Sequence, residues 1–179
     1  AAVYEALAPL ERSRGHARAS RLLSESGADS ERVAAQLLLV PPALVSSDEG
    51  GRVVEILRDA ARSARCRGAA ESAVSYLRRA LAEPPAPAER ADVLLELGSA
   101  ESLMSGEAAV EHLREAHALI EEPAAKARAA FLLGRLLFFH RPKESPGVFK
   151  QGLEEIAGAD AELEGFLEAG LISAALFER

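Results

Sequence analysis

Four histidines are the residues of this chain best suited to metal binding. His112 and His117 stand five residues apart on one predicted helix, which places them on different helix faces. Histidine pairs that share a metal ion on a helix prefer a spacing of about four residues. His140 falls at the end of a predicted helix, where a positive charge interacts favourably with the helix dipole, and His16 lies in a polar stretch. We therefore predict no metal site.

Carboxylates with helical spacing are the candidates for proton transfer. Paired acids can act as general acid and base where a cleft moves their pKa values apart. The sequence shows no partner that would desolvate these side chains, so we interpret them as solvated helix faces. We predict no catalytic, cofactor-binding or metal-binding residue here, and hence no enzyme. The carboxylates are Glu107, Glu111 and Glu115 on one predicted helix and Glu164 and Glu168 on another.

Two rows of arginine could meet a phosphate or an acidic partner. Neither row carries the interleaved aromatic residues on which single-stranded nucleic acid stacks. We interpret both rows as solvated or paired within the chain, with a docking surface for an acidic partner as the alternative. The rows are Arg14, Arg18 and Arg21, and Arg58, Arg62 and Arg65.

A single cysteine, Cys66, excludes an intramolecular disulfide and favours a reducing cytoplasmic location. Its neighbours Arg65 and Arg67 could lower the pKa of its thiol, but no histidine or aspartate completes a nucleophilic site. We interpret Cys66 as structural or incidental. We expect both tyrosines, Tyr4 and Tyr76, at the edge of a core.

Composition limits the class of protein. The net charge of −7 argues against a general nucleic-acid-binding surface, and the aromatic content of 4% disfavours a β-sandwich. No run of 18 apolar residues is present, so we predict no membrane span. Alanine, leucine, glutamate and arginine dominate and favour an all-α fold.

Apolar periodicity and turn residues divide the chain into helices. The turn-forming stretch at 41–51 is the best domain boundary, so we predict an N-terminal helical segment at 1–45 and helical repeats at 52–179. Asp29 or Ser30 is expected to cap the third helix, and Gly27 to end the second. The predicted helices are 2–8, 10–25, 31–40, 53–65, 69–82, 88–104, 108–120, 124–139, 148–157 and 161–177.

Three glycines stand 36 residues apart inside apolar helical runs, at Gly98, Gly134 and Gly170. A glycine in mid-helix costs roughly 1 kcal/mol relative to alanine, so the regular spacing predicts close approach of a neighbouring helix. The intervening helices also repeat: 76–80 aligns with 112–116 at the same offset, and Leu153 continues the series after an offset of 40. We therefore predict helical hairpins stacked as an α-solenoid.

The apolar pattern predicts how the later helices pack. Helix 88–104 has one apolar stripe, whereas helix 124–139 is apolar around most of its circumference and should lie between neighbours. The last helix has no polar cap. We expect the chain to continue beyond Arg179, or this helix to pair with a second copy through about 161–177, and charged residues at Leu171 and Phe177 to prevent that pairing. The stripe is Val93, Leu94, Leu97, Ala100 and Met104, and the last helix carries Phe166, Leu167, Leu171, Ile172, Leu176 and Phe177.

The hairpin pattern resembles the tetratricopeptide repeat over about 52–179. The resemblance is carried by Leu94, Leu97 and Gly98 in a first helix, by small residues in the second helix, and by Pro84 and Pro123 before the next repeat. The chain departs from that family in lacking tryptophan and in repeating every 36 residues rather than 34.

The N-terminal segment is similar to the region after the ATPase module of large LuxR-type ATP-binding transcriptional regulators. The resemblance is carried by 4–12, 16–19, Leu22-Leu23, Gly27-Ala28 and 31–38. It implies a winged-helix-like piece, then a tetratricopeptide-like sensor that binds a protein or small-molecule effector, then a helix-turn-helix. The arginine rows could then dock on the ATPase module.

No phosphate-binding loop and no terminal basic helix-turn-helix occur in this chain. ATP binding and DNA binding would therefore belong to other parts of such a parent protein. A free-standing tetratricopeptide-like scaffold that binds a peptide in its groove is the main alternative. An all-helical enzyme that uses the acidic faces is the other.

Overall fold

The computed structural model describes residues 7–45, 50–83, 87–102, 104, 106–156 and 158–177, and these residues form helices without any strand. The chain divides into two compact units, Ala1–Ala86 and Pro87–Arg179. The all-α class is thus confirmed. The first unit holds α1 (Pro9–Glu25), α2 (Ser30–Leu37), α3 (Gly50–Cys66) and α4 (Ala70–Ala82), and the second holds α5 (Pro87–Glu101), α6 (Gly106–Leu119), α7 (Pro123–His140), α8 (Ser145–Ile156) and α9 (Ala161–Phe177).

Several helix ends differ from the sequence prediction. The helix predicted at 31–40 ends at Leu37, and a short 3₁₀ turn, Pro42–Leu44, follows it. The helix predicted at 88–104 ends at Glu101. Most of the helix predicted at 2–8 lies outside the described residues. The two compact units divide after Ala86, whereas the sequence placed the domain boundary at 41–51.

Side chains and glycines fix the ends of several helices. The Asp29 carboxylate accepts a hydrogen bond from the Glu31 backbone N–H at 2.8 Å and caps α2, as predicted. Gly27 and Gly68 have positive φ angles of 70° and 75°, which end α1 and α3. Backbone N–H groups of Ala125 and Ala124 donate to the Glu122 carboxylate at the start of α7 and lower its pKa.

A buried arginine joins α4 to the end of α2. The Arg79 guanidinium donates hydrogen bonds to the carbonyl oxygens of Leu37, the last residue of α2, and Val40, which follows it. The same side chain donates from Nε to the carboxylate of Glu83 at 2.8 Å, and both side chains are buried. One charged pair therefore satisfies the end of α2 and holds α4 against it.

Glycine allows close helix contact at three positions in the second unit, as predicted. A Cβ at Gly98 would lie 2.6 Å from Leu113, and one at Gly134 would lie 2.7 Å from the ring of Phe149. In both cases the partner follows the glycine by fifteen residues. The pairs α5–α6 and α7–α8 therefore pack in the same register.

The third glycine departs from this register. A Cβ at Gly170 would lie 2.5 Å from Phe149, so α9 packs back onto the preceding helix. The structure also corrects the alignment of Leu153. Phe149, at an offset of 36 from Leu113, takes the equivalent place against a glycine, and the repeat needs no insertion in the preceding loop.

The structure buries the predicted apolar faces of α5 and α7, with two exceptions. Four members of the α5 stripe are fully buried, but Met104 lies beyond the helix end and is half exposed. Helix α7 contacts both α6 and α8, as its apolar circumference predicts, and it also contacts α9. The exception on α7 is Phe139, which is 78% exposed.

Alanine at Gly170 should destabilise the chain although alanine is the better helix former. The added Cβ meets a ring that is itself buried between two helices, so the ring cannot move aside cheaply. We expect Gly170→Ala to lower the free energy of unfolding by up to about 2 kcal/mol, because an overpacking cost of about 1–3 kcal/mol opposes a helix-propensity gain of about 1 kcal/mol.

Gly165 is the matched control on the same helix, since a Cβ there meets nothing within 4 Å. Gly165→Ala should leave stability unchanged or raise it by up to about 1 kcal/mol in urea denaturation. Adding Phe149→Leu to Gly170→Ala should restore part of the loss. Equal effects of the two alanine substitutions would contradict the close approach.

Removing one partner of the Arg79–Glu83 pair should be more harmful than removing both. Arg79→Leu leaves the Glu83 carboxylate buried without its charged partner and removes the side-chain donor to the Leu37 and Val40 carbonyl groups, so we expect a loss of about 3–5 kcal/mol. The double substitution Arg79→Leu with Glu83→Leu should lose less than Arg79→Leu alone. Chemical denaturation of the two variants measures the difference, and a double variant at least as unstable as the single one argues against a coupled pair.

Candidate partner-binding surface

The four histidines lie apart from one another, and three of them form hydrogen bonds with other side chains. His112 Nδ1 lies 2.7 Å from the buried carboxylate of Glu101, which joins α6 to α5. His117 Nε2 lies 3.0 Å from the carboxylate of Glu155 on α8, which is within hydrogen-bond range. These contacts give both histidines structural roles, each toward a different helix.

The other two histidines lie in separate places on α1 and α7. His16 Nδ1 lies 2.8 Å from the side-chain oxygen of Gln36, which joins α1 to α2. His140 is the last residue of α7, as predicted, and its ring lies where a Cβ at Gly106 would stand. Among the described residues no group of three or more His, Cys, Asp or Glu is arranged to hold a metal ion.

The acidic face of α6 is exposed but ion-paired. Glu115 accepts from Arg90 of α5 at 2.7 Å, and Glu107 accepts from Arg141, which follows α7. The hydrogen bond to Glu107 raises the pKa of the Arg141 guanidinium. These glutamates therefore connect α6 to its neighbours, a role that the sequence interpretation as a solvated face missed.

The arginines of the two rows lie in different environments. Arg14 and Arg18 are exposed on α1, and Arg21 lies at the edge of a groove in the first unit. On α3, Arg62 pairs with Asp59 of the same helix. The structure thus confirms pairing within the chain for part of the second row.

Cys66 and Tyr76 both lie in the first unit. The Cys66 thiol is exposed. Tyr76 is buried, as expected for a core-edge residue, and burial together with the nearby Glu31 carboxylate raises the pKa of its hydroxyl. Tyr4 lies outside the described residues.

An exposed apolar surface on α9 and the end of α7 is the feature of the second unit that best suits a partner. After Glu168 the rest of α9 is almost entirely apolar, yet the helix is covered on one side only. Its buried residues are Leu163, Leu167 and Ala174. The apolar surface consists of Phe139 at 78% exposure, Phe166 at 51%, Ile172 at 62%, Leu176 at 66% and Phe177 at 78%.

Aromatic contacts hold this surface in place. Phe138 lies edge-to-face against both Phe139 and Phe177, with ring centroids 5.2 Å apart in each case. Seven residues earlier on α7, Phe131 contacts Phe166 at 5.7 Å. Such pairs contribute about 0.5–1.5 kcal/mol beyond burial, so the exposed rings are fixed to α7 rather than free in solvent.

The sequence predicted the α9 part of the apolar surface but not the part from α7. Leu171, which the sequence placed at the interface, is partly buried and packs on the core of α7, α8 and α9. A charge there would disturb folding, so Ile172 is the better site for testing association. Phe139 was missed because its neighbours on α7 are core residues and periodicity alone does not separate them.

Comparison of the chain with known protein families, with curated proteins and with solved structures found no match. No helix in the described ranges is both long and apolar enough to cross a lipid bilayer.

The apolar surface should cause reversible self-association. About half or more of each of these side chains is exposed, so burial against a second copy is favourable, while the loss of translational and rotational freedom opposes association by about 4–15 kcal/mol. We expect a weak dimer, visible by multi-angle light scattering between about 10 and 200 µM, a range in which partly occupied micromolar complexes are detected.

Ile172→Lys with Phe177→Lys should give monomers over that range. The matched control is Leu22→Lys with Leu39→Lys, which adds the same charge at two exposed leucines of the first unit. That control should associate like the parent chain. A parent chain that stays monomeric at the highest concentration contradicts the prediction.

Proposed function

We propose that the chain is a non-enzymatic helical interaction segment, of the kind that links the ATPase module to the DNA-binding domain in LuxR-type ATP-binding transcriptional regulators. The apolar surface on α9 carries the proposal. A contiguous apolar area on a folded unit is typical of protein-interaction sites. Such a segment would work in the cytoplasm and leave nucleotide and DNA binding to other domains.

The shared register of α5–α6 and α7–α8 supports helical repeats of the tetratricopeptide type. Repeats of this type present extended surfaces to partners, and each repeat contacts its neighbours. In a regulator, an effector that prefers one arrangement of the helices would shift the whole protein toward its active or inactive state. The α9 surface would pass that shift to a second copy.

A free-standing scaffold makes a different prediction about the flanking sequence. A regulator carries a phosphate-binding loop upstream of this segment, because the P-loop supplies the backbone N–H groups that hold ATP phosphates. It also carries a helix-turn-helix downstream. Sequencing the gene on both sides separates the two classes, and a flank without either motif favours the scaffold.

In such a regulator the α9 surface should affect activation but not nucleotide binding. We expect Ile172→Lys with Phe177→Lys to lower ATP-dependent DNA binding at least about tenfold, because dimers contact two half-sites at once. ATP affinity should not change. Leu22→Lys with Leu39→Lys serves as the control, and DNA binding that persists after deletion of 52–179 would falsify the sensor role.

A further inference from the structure

The solvent-exposed side of α9 carries a stripe in which small residues precede large ones. The members of this outer stripe follow one another at intervals of four, three and four residues, so they lie on one helix face. All of them are exposed, and a Cβ added at the first one would meet nothing within 4 Å. The outer stripe consists of Gly165, Ala169, Ile172 and Leu176.

The order of sizes along the outer stripe fits a second copy of the same helix that runs in the opposite direction. Two identical chains pair most often about a two-fold axis, so that residue i of one copy meets residue j of the other and j meets i. With antiparallel helices and the axis between residues 170 and 171, Gly165 faces Leu176 of the second copy. Ala169 then faces Ile172. A parallel pair would instead place small residues against small ones and large against large.

The aromatic flank of α9 favours the same orientation. Phe166 and Phe177 lie about a quarter of a turn round the helix from the outer stripe, on the side where their rings contact Phe131 and Phe138 of α7. A two-fold axis perpendicular to the helices keeps this flank on the same side in both copies, whereas an axis along the helices separates the two flanks. In the antiparallel pair, Phe166 of one copy lies within about 3 Å of Phe177 of the other along the helix axis.

Charge along α9 gives a third, independent reason. Glu162, Glu164 and Glu168 all lie in its first half, and residues 169–177 carry no charged side chain. An antiparallel pair places the acidic half of one helix beside the uncharged half of the other, whereas a parallel pair places acidic half beside acidic half. Antiparallel helices also bring the positive end of each dipole near the negative end of the other.

We propose that α9 pairs with α9 of a second copy in antiparallel orientation, about a two-fold axis that crosses the helix between residues 170 and 171. This inference rests on the proposed function, in which the apolar surface of α9 is an interaction site, and it adds the partner's orientation and the residues that meet. The outer stripe forms the centre of the interface, and the aromatic flanks of both copies lie together along one edge.

Disulfide cross-linking of the complete 179-residue chain at about 200 µM tests the orientation. Cys66, the single cysteine, is first replaced by serine so that only introduced thiols react. Gly165→Cys mixed with Leu176→Cys should give a cross-linked dimer. Neither variant should cross-link with itself, because two copies of either position lie about 16 Å apart along the helices, beyond the roughly 7 Å between Cα atoms that a disulfide spans.

The matched control is Leu22→Cys mixed with Leu176→Cys, since Leu22 is an exposed leucine of the first unit. This mixture measures cross-linking by random collision. Isotope labelling of one variant in each mixture lets mass spectrometry separate mixed dimers from dimers of one variant.

An exchange of residue sizes tests the pairing without cysteines. Ala169→Ile places isoleucine opposite Ile172 of the second copy, so it should weaken association at least about tenfold in light scattering. Adding Ile172→Ala restores a small residue opposite a large one and should restore association. Both positions are exposed, so urea denaturation of the variants should match that of the parent chain.

Each contrary outcome overturns a defined part of the proposal. Cross-linking of Gly165→Cys with itself and of Leu176→Cys with itself contradicts the antiparallel orientation but leaves the α9 surface as an interaction site. A Gly165→Cys and Leu176→Cys mixture that cross-links no more than the control rules out a second copy as the partner of this face. Association that survives Ala169→Ile, or fails to return with Ile172→Ala, contradicts the pairing of small with large residues.

Discussion

The ring of Phe149 is the contact on which the second unit depends. It lies on α8 between Gly134 of α7 and Gly170 of α9, and either glycine would collide with it after gaining a single methyl group. Gly152 stands one turn further along α8, where a Cβ would meet both Leu167 of α9 and Ala130 of α7. Three helices therefore meet around one aromatic side chain at distances that only glycine allows. Since packed interiors respond to one methylene, the positions of α7 and α9 are set together.

This packing also determines which side of α9 faces solvent. Leu163, Leu167, Gly170 and Ala174 follow one another at intervals of four, three and four residues, so they form one stripe along the helix. That stripe packs against α7 and α8. Large apolar residues off the stripe, among them Phe166, Ile172 and Phe177, stay more than half exposed and form the apolar surface. The glycine that brings α9 onto Phe149 thus turns its phenylalanines outward.

Sequence reasoning was strongest where a residue type carries a local cost. Glycine in mid-helix is unfavourable, so the regular spacing indicated close approach, and all three positions show it. The partner of Gly170 could not be predicted in the same way, because the choice between a preceding and a following helix depends on tertiary packing. The structural role of Arg79 could not be predicted from the sequence for a related reason. Its bonds go to carbonyl groups about forty residues away, at the point where α2 ends.

The helices of the first unit pack through different contacts from those of the second unit. Arg62 occupies the position 36 residues before Gly98 and is exposed, so α3 and α4 do not share the glycine register of the later pairs. Buried alanines of α3 and the Arg79–Glu83 pair take the place of glycine contacts there. A charged pair that reaches two carbonyl groups fixes direction as well as distance, because each hydrogen bond requires near-linear geometry. It holds α4 to the end of α2 but does not press α1 onto α3. A groove lies between those two helices, and the Arg52 guanidinium of α3 donates to the Ser24 hydroxyl of α1 beside it.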